Sequence, residues 1–165
     1  MNSKLTGITL PILLAYGLTL AGTRQDATPK SGHPRAKEYG AHLGVYSVKI
    51  LESTIPAPKP GTGSYWGAWG TTLDCIANLS ILRANKPIIV PRSSFSDLSN
   101  VHQVRLKKDK NGAVVEITGG DASEGYYATI TVANGEVVRR SVHWGEFPDN
   151  SWEETRYHRS VPPDQ

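Results

Sequence analysis

Two Asn-Gly pairs, at residues 111–112 and 134–135, each stand between two runs of alternating apolar and polar residues. Asn-Gly is the pair best suited to the positive φ angles of a type I′ turn, which connects the strands of a tight β-hairpin. Alternation with a period of two is typical of a strand that buries one face. The two pairs therefore predict two β-hairpins, at residues 102–118 and 126–144, and no other feature constrains the fold as strongly.

A two-residue loop also determines which residues of a hairpin lie opposite one another. In the first hairpin, the apolar side chains of both strands then share one face and the charged side chains share the other. The predicted opposite pairs of the first hairpin are Lys110–Ala113, Lys107–Glu116 and Leu106–Ile117. Those of the second hairpin are Val132–Val137, Ile130–Arg139 and Tyr126–His143.

The other segments repeat the strand pattern. Residues 44–52 alternate between apolar and polar, and residues 152–159 return beside the end of the second hairpin. Residues 53–64 contain three prolines and two glycines, which predict a surface loop. Residues 71–82 place one set of side chains on a common face, namely Leu73, Cys75, Ala77, Leu79 and Ile81.

No long apolar pattern of helical period interrupts these strands. We therefore expect an all-β, single-domain antiparallel meander over residues 42–160, in the form of a small barrel or a sandwich, with a tail at residues 161–165. Residues 93–100 are expected to add one short helical turn, capped by Ser94 or Ser96.

The N-terminus has the pattern of a secretory signal peptide. Lys4 precedes an apolar run at residues 8–20, and small residues follow at a suitable cleavage position. The run is shorter than the roughly 20 residues of a membrane-spanning helix. We expect a signal peptide at residues 1–22, with an uncleaved anchor as the alternative, then a flexible leader at residues 23–41. The mature chain is expected to be exported, either secreted or periplasmic, with no stable membrane span.

Charge and cysteine content exclude some classes of function. The formal net charge of +3 is too small, and the basic residues too scattered, to predict nucleic-acid binding. Cys75 is the single cysteine, so no intramolecular disulfide can form, and its strand position predicts burial rather than a nucleophilic role. Asn78 begins a glycosylation sequon on the opposite, outward face.

Residues 137–158 concentrate histidines, carboxylates and arginines, which raises the question of catalysis. If Trp144 and Trp152 are neighbours across the loop, His143 lies opposite Glu153, and the period of two sends His143 and His158 to opposite faces. General acid–base groups must instead converge on one reacting atom. We expect cross-strand ion pairs here, including Arg140 near Glu154 and Arg156.

The alternative is an exported hydrolase that uses His143 with Glu146 or Asp149 around the loop at residues 145–151. No zinc-binding spacing such as H-E-x-x-H occurs, and no phosphate-binding glycine loop stands between a strand and a helix. We therefore predict neither a metal site nor a cofactor.

Residues 63–70, GSYWGAWG, are the strongest candidate for a binding site. Tyr65, Trp66 and Trp69 stand among glycines, and exposed rings would offer flat faces to a sugar, a peptide or a lipid. Buried, the same rings would close the end of a barrel. We expect a binding module for a protein, a glycan or a small apolar ligand, which favours binding over catalysis. A third hypothesis is docking to another exported protein through a sheet edge.

Overall fold

The computed structural model of the protein describes residues 36–59, 64–68, 70–145 and 147–158. Within these ranges, nine strands form two antiparallel sheets, and two single 3-10 turns are the helical elements. The predicted signal peptide (1–22), most of the predicted leader and the predicted tail (161–165) lie outside the described residues.

Within each sheet, every strand pairs with its neighbour along the chain, so both sheets are meanders. The first sheet contains β1 (Glu38–Leu43), β2 (Tyr46–Pro56), β3 (Thr72–Arg83) and β4 (Lys86–Ile88). The second contains β5 (Val101–Asp109), β6 (Gly112–Gly119), β7 (Tyr126–Ala133), β8 (Glu136–Trp144) and β9 (Phe147–Arg156). The predicted all-β antiparallel meander is confirmed, and because neither sheet closes on itself, the structure agrees with a sandwich rather than a barrel.

Buried side chains from both sheets form one hydrophobic core. Removing each large aliphatic side chain of this kind from water contributes about 1.5–3 kcal/mol before the entropy of ordering is counted. β1 also contacts β5, so the two sheets meet along this side. The core includes Val48, Ile50, Leu79 and Ile81 from the first sheet, and Val115, Ile117, Ile130, Val132 and Val142 from the second.

The first predicted hairpin exists, but its register differs from the prediction. The turn residues are Lys110 and Asn111, and Asp109 lies opposite Gly112. Neither Asn111 nor Gly112 has a positive φ, so this is not the type I′ turn that Asn-Gly predicts. The glycine is required by β7 instead, because a Cβ at Gly112 would overlap the carbonyl oxygen of Val132.

The shift moves every partner in this hairpin by two residues, which leaves each side chain on its predicted face. Leu106 lies opposite Val115 rather than Ile117. Arg105, not Lys107, lies directly opposite Glu116, although Lys107 still reaches that carboxylate diagonally at 2.7 Å. The predicted ion pair therefore forms from a neighbouring position.

The second hairpin has the predicted turn and then departs from the predicted register. Asn134 and Gly135 have φ angles of 54° and 84°, and Val132 lies opposite Val137 as predicted. A β-bulge then interrupts the pairing of β7 with β8 between Thr131 and Val132. Beyond it the predicted pairs are wrong, since Ile130 lies opposite Arg140 and Tyr126 lies opposite Trp144.

A second bulge, where β2 pairs with β3, changes which residues of β3 are buried. The register shifts between Leu51 and Glu52, so Glu52 lies opposite Ile76. Ile76 joins the core and Ala77 is exposed, which corrects the predicted burial of Ala77. Cys75 is buried as predicted, and Asn78 is exposed as predicted.

Four element boundaries also differ from the sequence analysis. The predicted loop at residues 145–151 is too long, because β9 already begins at Phe147. The sequence analysis placed residues 38–41 in the leader, but they belong to β1. Main-chain hydrogen bonds to β2 hold this strand in place, so it needs few aliphatic side chains. Residues 53–56, placed in the loop, extend β2. Pro56 is tolerated because β1 begins at Glu38, opposite Leu51, and leaves this part of β2 as an edge. The predicted helical turn is a 3-10 turn at Arg92–Ser94 without a side-chain cap.

We predict that Gly112→Ala lowers the free energy of unfolding by about 2–3 kcal/mol, because the new methyl group must push β7 away from β6. Gly40→Ala is the matched control, since Gly40 also lies within a strand and its Cβ would rest at an ordinary 3.4 Å from the Val48 carbonyl oxygen. Urea unfolding followed by circular dichroism measures both. Equal stability of the two variants would show that strand spacing does not require Gly112.

Candidate functional site

Arg140 on β8 is buried inside the fold, with 2% of its surface exposed. The bulge in the second hairpin turns its side chain to the core side, where Val142 also lies. Its guanidinium donates two hydrogen bonds to the carboxylate of Asp97, at 2.7 and 2.8 Å, and a third to Glu153 on β9. The predicted neighbours Glu154 and Arg156 are therefore wrong for this residue, since Arg140 lies opposite Thr155.

These three side chains form an ion cluster, Asp97–Arg140–Glu153, with one cation and two carboxylates. Burial raises the pKa of Asp97, and the charge of Glu153 adds to this effect, while Arg140 opposes it. The Nε of Arg140 is buried and has no hydrogen-bond partner among the described residues. A charge this deeply buried is tolerated only when it is paired, so both carboxylates are needed to keep Arg140 in place.

Trp66 is attached to the ion cluster through its main chain and its indole ring. The main-chain N–H of Trp66 donates to the carbonyl of Asp97 at 2.8 Å. The carbonyl of Trp66 accepts hydrogen bonds from the N–H and the hydroxyl of Ser99. The indole N–H points to Glu153 at 3.4 Å. The following residue, Gly67, adopts a φ of +75° with its Cα against Gly120, so a side chain has no room there.

Trp66 also begins a row of three tryptophans, Trp66–Trp152–Trp144, which we call the tryptophan cluster. The ring centroids of Trp66 and Trp152 are 5.9 Å apart with an edge-to-face angle of 65°. Those of Trp144 and Trp152 are 5.2 Å apart at 56°. The indole N–H of Trp144 donates to the carbonyl of Ser123 at 2.6 Å. Such tilted contacts between rings are favourable beyond the area they bury.

The central ring of the cluster faces the solvent. Trp152 is 59% exposed, whereas Trp66 and Trp144 are half-buried and hydrogen-bonded through their ring nitrogens. Because Trp152 contacts both other rings, the three form one contiguous aromatic patch, and contiguous exposed patches often mark interaction sites. The cluster is therefore an aromatic surface in which hydrogen bonds hold the two outer rings and the central ring is exposed.

The predicted binding residues are only partly brought together. Trp66 is half-buried and packs against the core while its ring contacts Trp152. Tyr65 is half-buried, and Trp69 lies outside the described residues. The rings of Trp144 and Trp152 are in contact, but the assumed loop closure is wrong, since Trp144 lies opposite Phe147 in the β8–β9 ladder. Sequence reasoning did not connect these rings to Trp66, because that contact spans distant parts of the chain.

Of the three residues proposed for a hydrolase, the structure describes His143 and Asp149. His143 lies opposite Ser151 rather than Glu153, and its nearest ring is Tyr127, at 6.0 Å between centroids. Asp149 is exposed, and Glu146 lies outside the described residues. The hydrolase therefore stays a prediction. Among the described side chains, no group of three or more His, Cys, Asp or Glu residues is arranged to hold a metal ion.

The structure also contains a cavity of about 600 Å³ whose lining includes none of the three tryptophans of the cluster. It lies between the end of β4 and the ends of β8 and β9, and its lining includes Ile89, Val137, Arg156 and Tyr157. Ile89 is 78% exposed at its mouth. This volume is within the range of small-molecule sites, so the cavity is a second location to test for an apolar ligand.

Comparison with known proteins gives no functional assignment: no family model, no curated protein and no solved structure matches this chain. None of the helices in the described part of the chain has the length and apolar character required to cross a membrane.

We predict that Arg140→Met lowers the free energy of unfolding by about 2–4 kcal/mol at pH 7, because two carboxylates lose the cation that pairs them. Arg156→Met, which removes an exposed pair with Glu154, is the matched control and should leave the free energy of unfolding nearly unchanged, because water screens such a pair.

The loss in Arg140→Met should shrink towards pH 4. Burial raises the pKa of Asp97, and removing Arg140 removes the charge that opposes this rise. The folded variant then binds a proton more readily than its unfolded chain, so its stability is greatest at low pH and falls as the pH rises through that pKa. Urea unfolding at several pH values measures the trend; a loss independent of pH would contradict the ion cluster.

We also predict that Cys75 is inert to thiol reagents in the folded protein. Its side chain is 5% exposed, and burial raises the pKa of the thiol to about 11. Only about one thiol in a thousand is then ionised at pH 8, and labelling should be about 100-fold slower than in concentrated urea. Equal labelling rates in the two conditions would contradict the burial of Cys75.

Proposed function

We propose that this protein is an exported binding module whose ligand rests on the tryptophan cluster. The observation that carries the proposal is the exposed ring of Trp152, which is held between two anchored tryptophans. A rigid aromatic surface binds with a small entropy cost, since few rotamers are lost on contact. The predicted signal peptide supports export, which would expose this surface to extracellular or periplasmic ligands.

The open form of the cluster favours a glycan among the three predicted ligand classes. One face of a sugar ring carries C–H groups that pack flat against an indole, and its hydroxyls stay in water. A small apolar ligand instead needs a concave site that buries most of its surface, and a 59% exposed ring offers no such enclosure. A protein surface would also fit an open aromatic patch, and it is an outcome of the test below.

The ion cluster supports this function by holding the aromatic surface in place. Glu153 follows Trp152 directly in β9 and contacts both Arg140 and the Trp66 ring. The orientation of the exposed ring is thereby connected to a charge buried in the core. Binding surfaces perform best when a second layer of contacts restrains their side chains, and this arrangement provides such a layer.

We predict that Trp152→Ala lowers glycan binding by at least about tenfold without unfolding the protein, because it removes the exposed ring and leaves the core intact. A glycan array probed with the full chain identifies bound sugars, and calorimetry with those sugars measures the affinities. Val45→Ala, which truncates another exposed apolar side chain far from the cluster in sequence, is the matched control.

Ile89→Ala separates the tryptophan cluster from the cavity. If a ligand binds the cluster, Ile89→Ala should bind it as well as the wild type does. Loss of binding in Ile89→Ala with full binding in Trp152→Ala would move the site to the cavity and favour a small apolar ligand. Absence of glycan binding, with capture of a protein that needs Trp152, would favour a protein partner.

A further inference from the structure

The two sheets have four outer strands, and they are protected to different degrees. β1 and β5 contact each other, and β4 has three residues that include Lys86 and Pro87. β9 is ten residues long, pairs with β8 on one side and has no described strand on the other. We propose that β9 pairs in antiparallel fashion with β9 of a second copy of this chain, which joins the two five-stranded sheets into one.

Within the described ranges of the chain, the main-chain groups on the outer edge of β9 have no main-chain hydrogen-bond partner. The N–H of Tyr157 donates to the carbonyl of Val138 at 3.0 Å, so the main chain of Tyr157 points towards β8. Because these groups alternate along an antiparallel strand, Thr155 also points towards β8, whereas Glu154 and Arg156 point away. Two donors and two acceptors are thus available to another strand.

The usual protections of an edge strand are missing from this part of β9. Natural edges carry lysines, prolines or bulges that prevent pairing with another chain. β9 contains no lysine, and its one proline, Pro148, is the second residue of the strand. The bulges of β9 lie at Trp152 and at residues 148–150, opposite the end of β8, so the pairing of residues 153–156 with β8 is regular.

The charges of β9 are complementary to those of a second copy in one register. Glu154 and Arg156 are exposed and pair with each other along the strand at 2.8 Å. With Thr155 on the two-fold axis, each Glu154 lies opposite Arg156 of the second copy, which forms two cross-strand ion pairs. The same register pairs the outward main-chain groups in four hydrogen bonds. Displacement by one hydrogen-bonding step places Glu154 or Arg156 opposite its own copy, and like charges then repel.

This pairing does not depend on the proposed glycan site. It uses the edge of β9 between Glu154 and Arg156, and its test does not require a ligand. Failure of glycan binding and failure of dimerisation are therefore independent results.

The test is the oligomeric state of the full chain, measured by analytical ultracentrifugation at low salt and at concentrations up to about 0.5 mM, where weak edge contacts are populated. The wild type should dimerise. Glu154→Arg should raise the dimer dissociation constant by about tenfold or more, because both ion pairs become repulsive. The double variant Glu154→Arg/Arg156→Glu restores opposite charges in the same register and should dimerise as the wild type does.

Lys108→Glu is the matched control, since it reverses an exposed charge on β5, at the other edge of the same sheet, and should leave the dimer intact. Circular dichroism and urea unfolding establish that each variant is folded. A monomeric wild type would overturn the proposal, and so would equal association of all four chains. Failure of the double variant to recover would overturn the proposed register.

Discussion

The burial of the Arg140 charge is the constraint on which the surrounding structure depends. A guanidinium with 2% exposure cannot remain in the core without carboxylate partners, and the partners must come from elements that reach it. Asp97 comes from the connection between the sheets, and Glu153 comes from the outer strand β9. One buried cation therefore ties the connection that carries Asp97 to the paired strands β8 and β9.

A second buried carboxylate, that of Glu52, connects the two sheets by a hydrogen bond. Glu52 on β2 is 1% exposed and accepts the N–H of Val101, at the start of β5, at 2.7 Å. The hydroxyl of Tyr39 donates to its other oxygen at 3.2 Å, and burial raises the pKa of this carboxyl group. Buried polar groups of this kind favour one relative position of the sheets over others, because displacement would leave them unpaired. Glu153 and Trp66 connect the tryptophan cluster to the buried Arg140, and these contacts restrain the geometry of the cluster.

Fold class and strand order were predictable because their causes are local. The type I′ turn at Asn134 and Gly135 needs two positive φ angles, and this pair adopts them most readily. The same dipeptide at Asn111 and Gly112 was misleading, since that glycine makes room for the Val132 carbonyl of a neighbouring strand. The faces of that hairpin were still correct, because a shift of two residues preserves side-chain alternation.

The candidate site was less predictable, because it depends on bulges and on contacts between distant residues. Composition and period-two patterning account for the antiparallel strands, the burial of Cys75 and the aromatic character of the segment around Trp66. The packing of the sheets decided that Arg140 enters the core, that Asp97 and Glu153 meet it there, and that Trp66 joins Trp144 and Trp152. A single bulge reverses the orientation of every later side chain in a strand, so one extra residue in β3 or β8 changes which side chains reach the core.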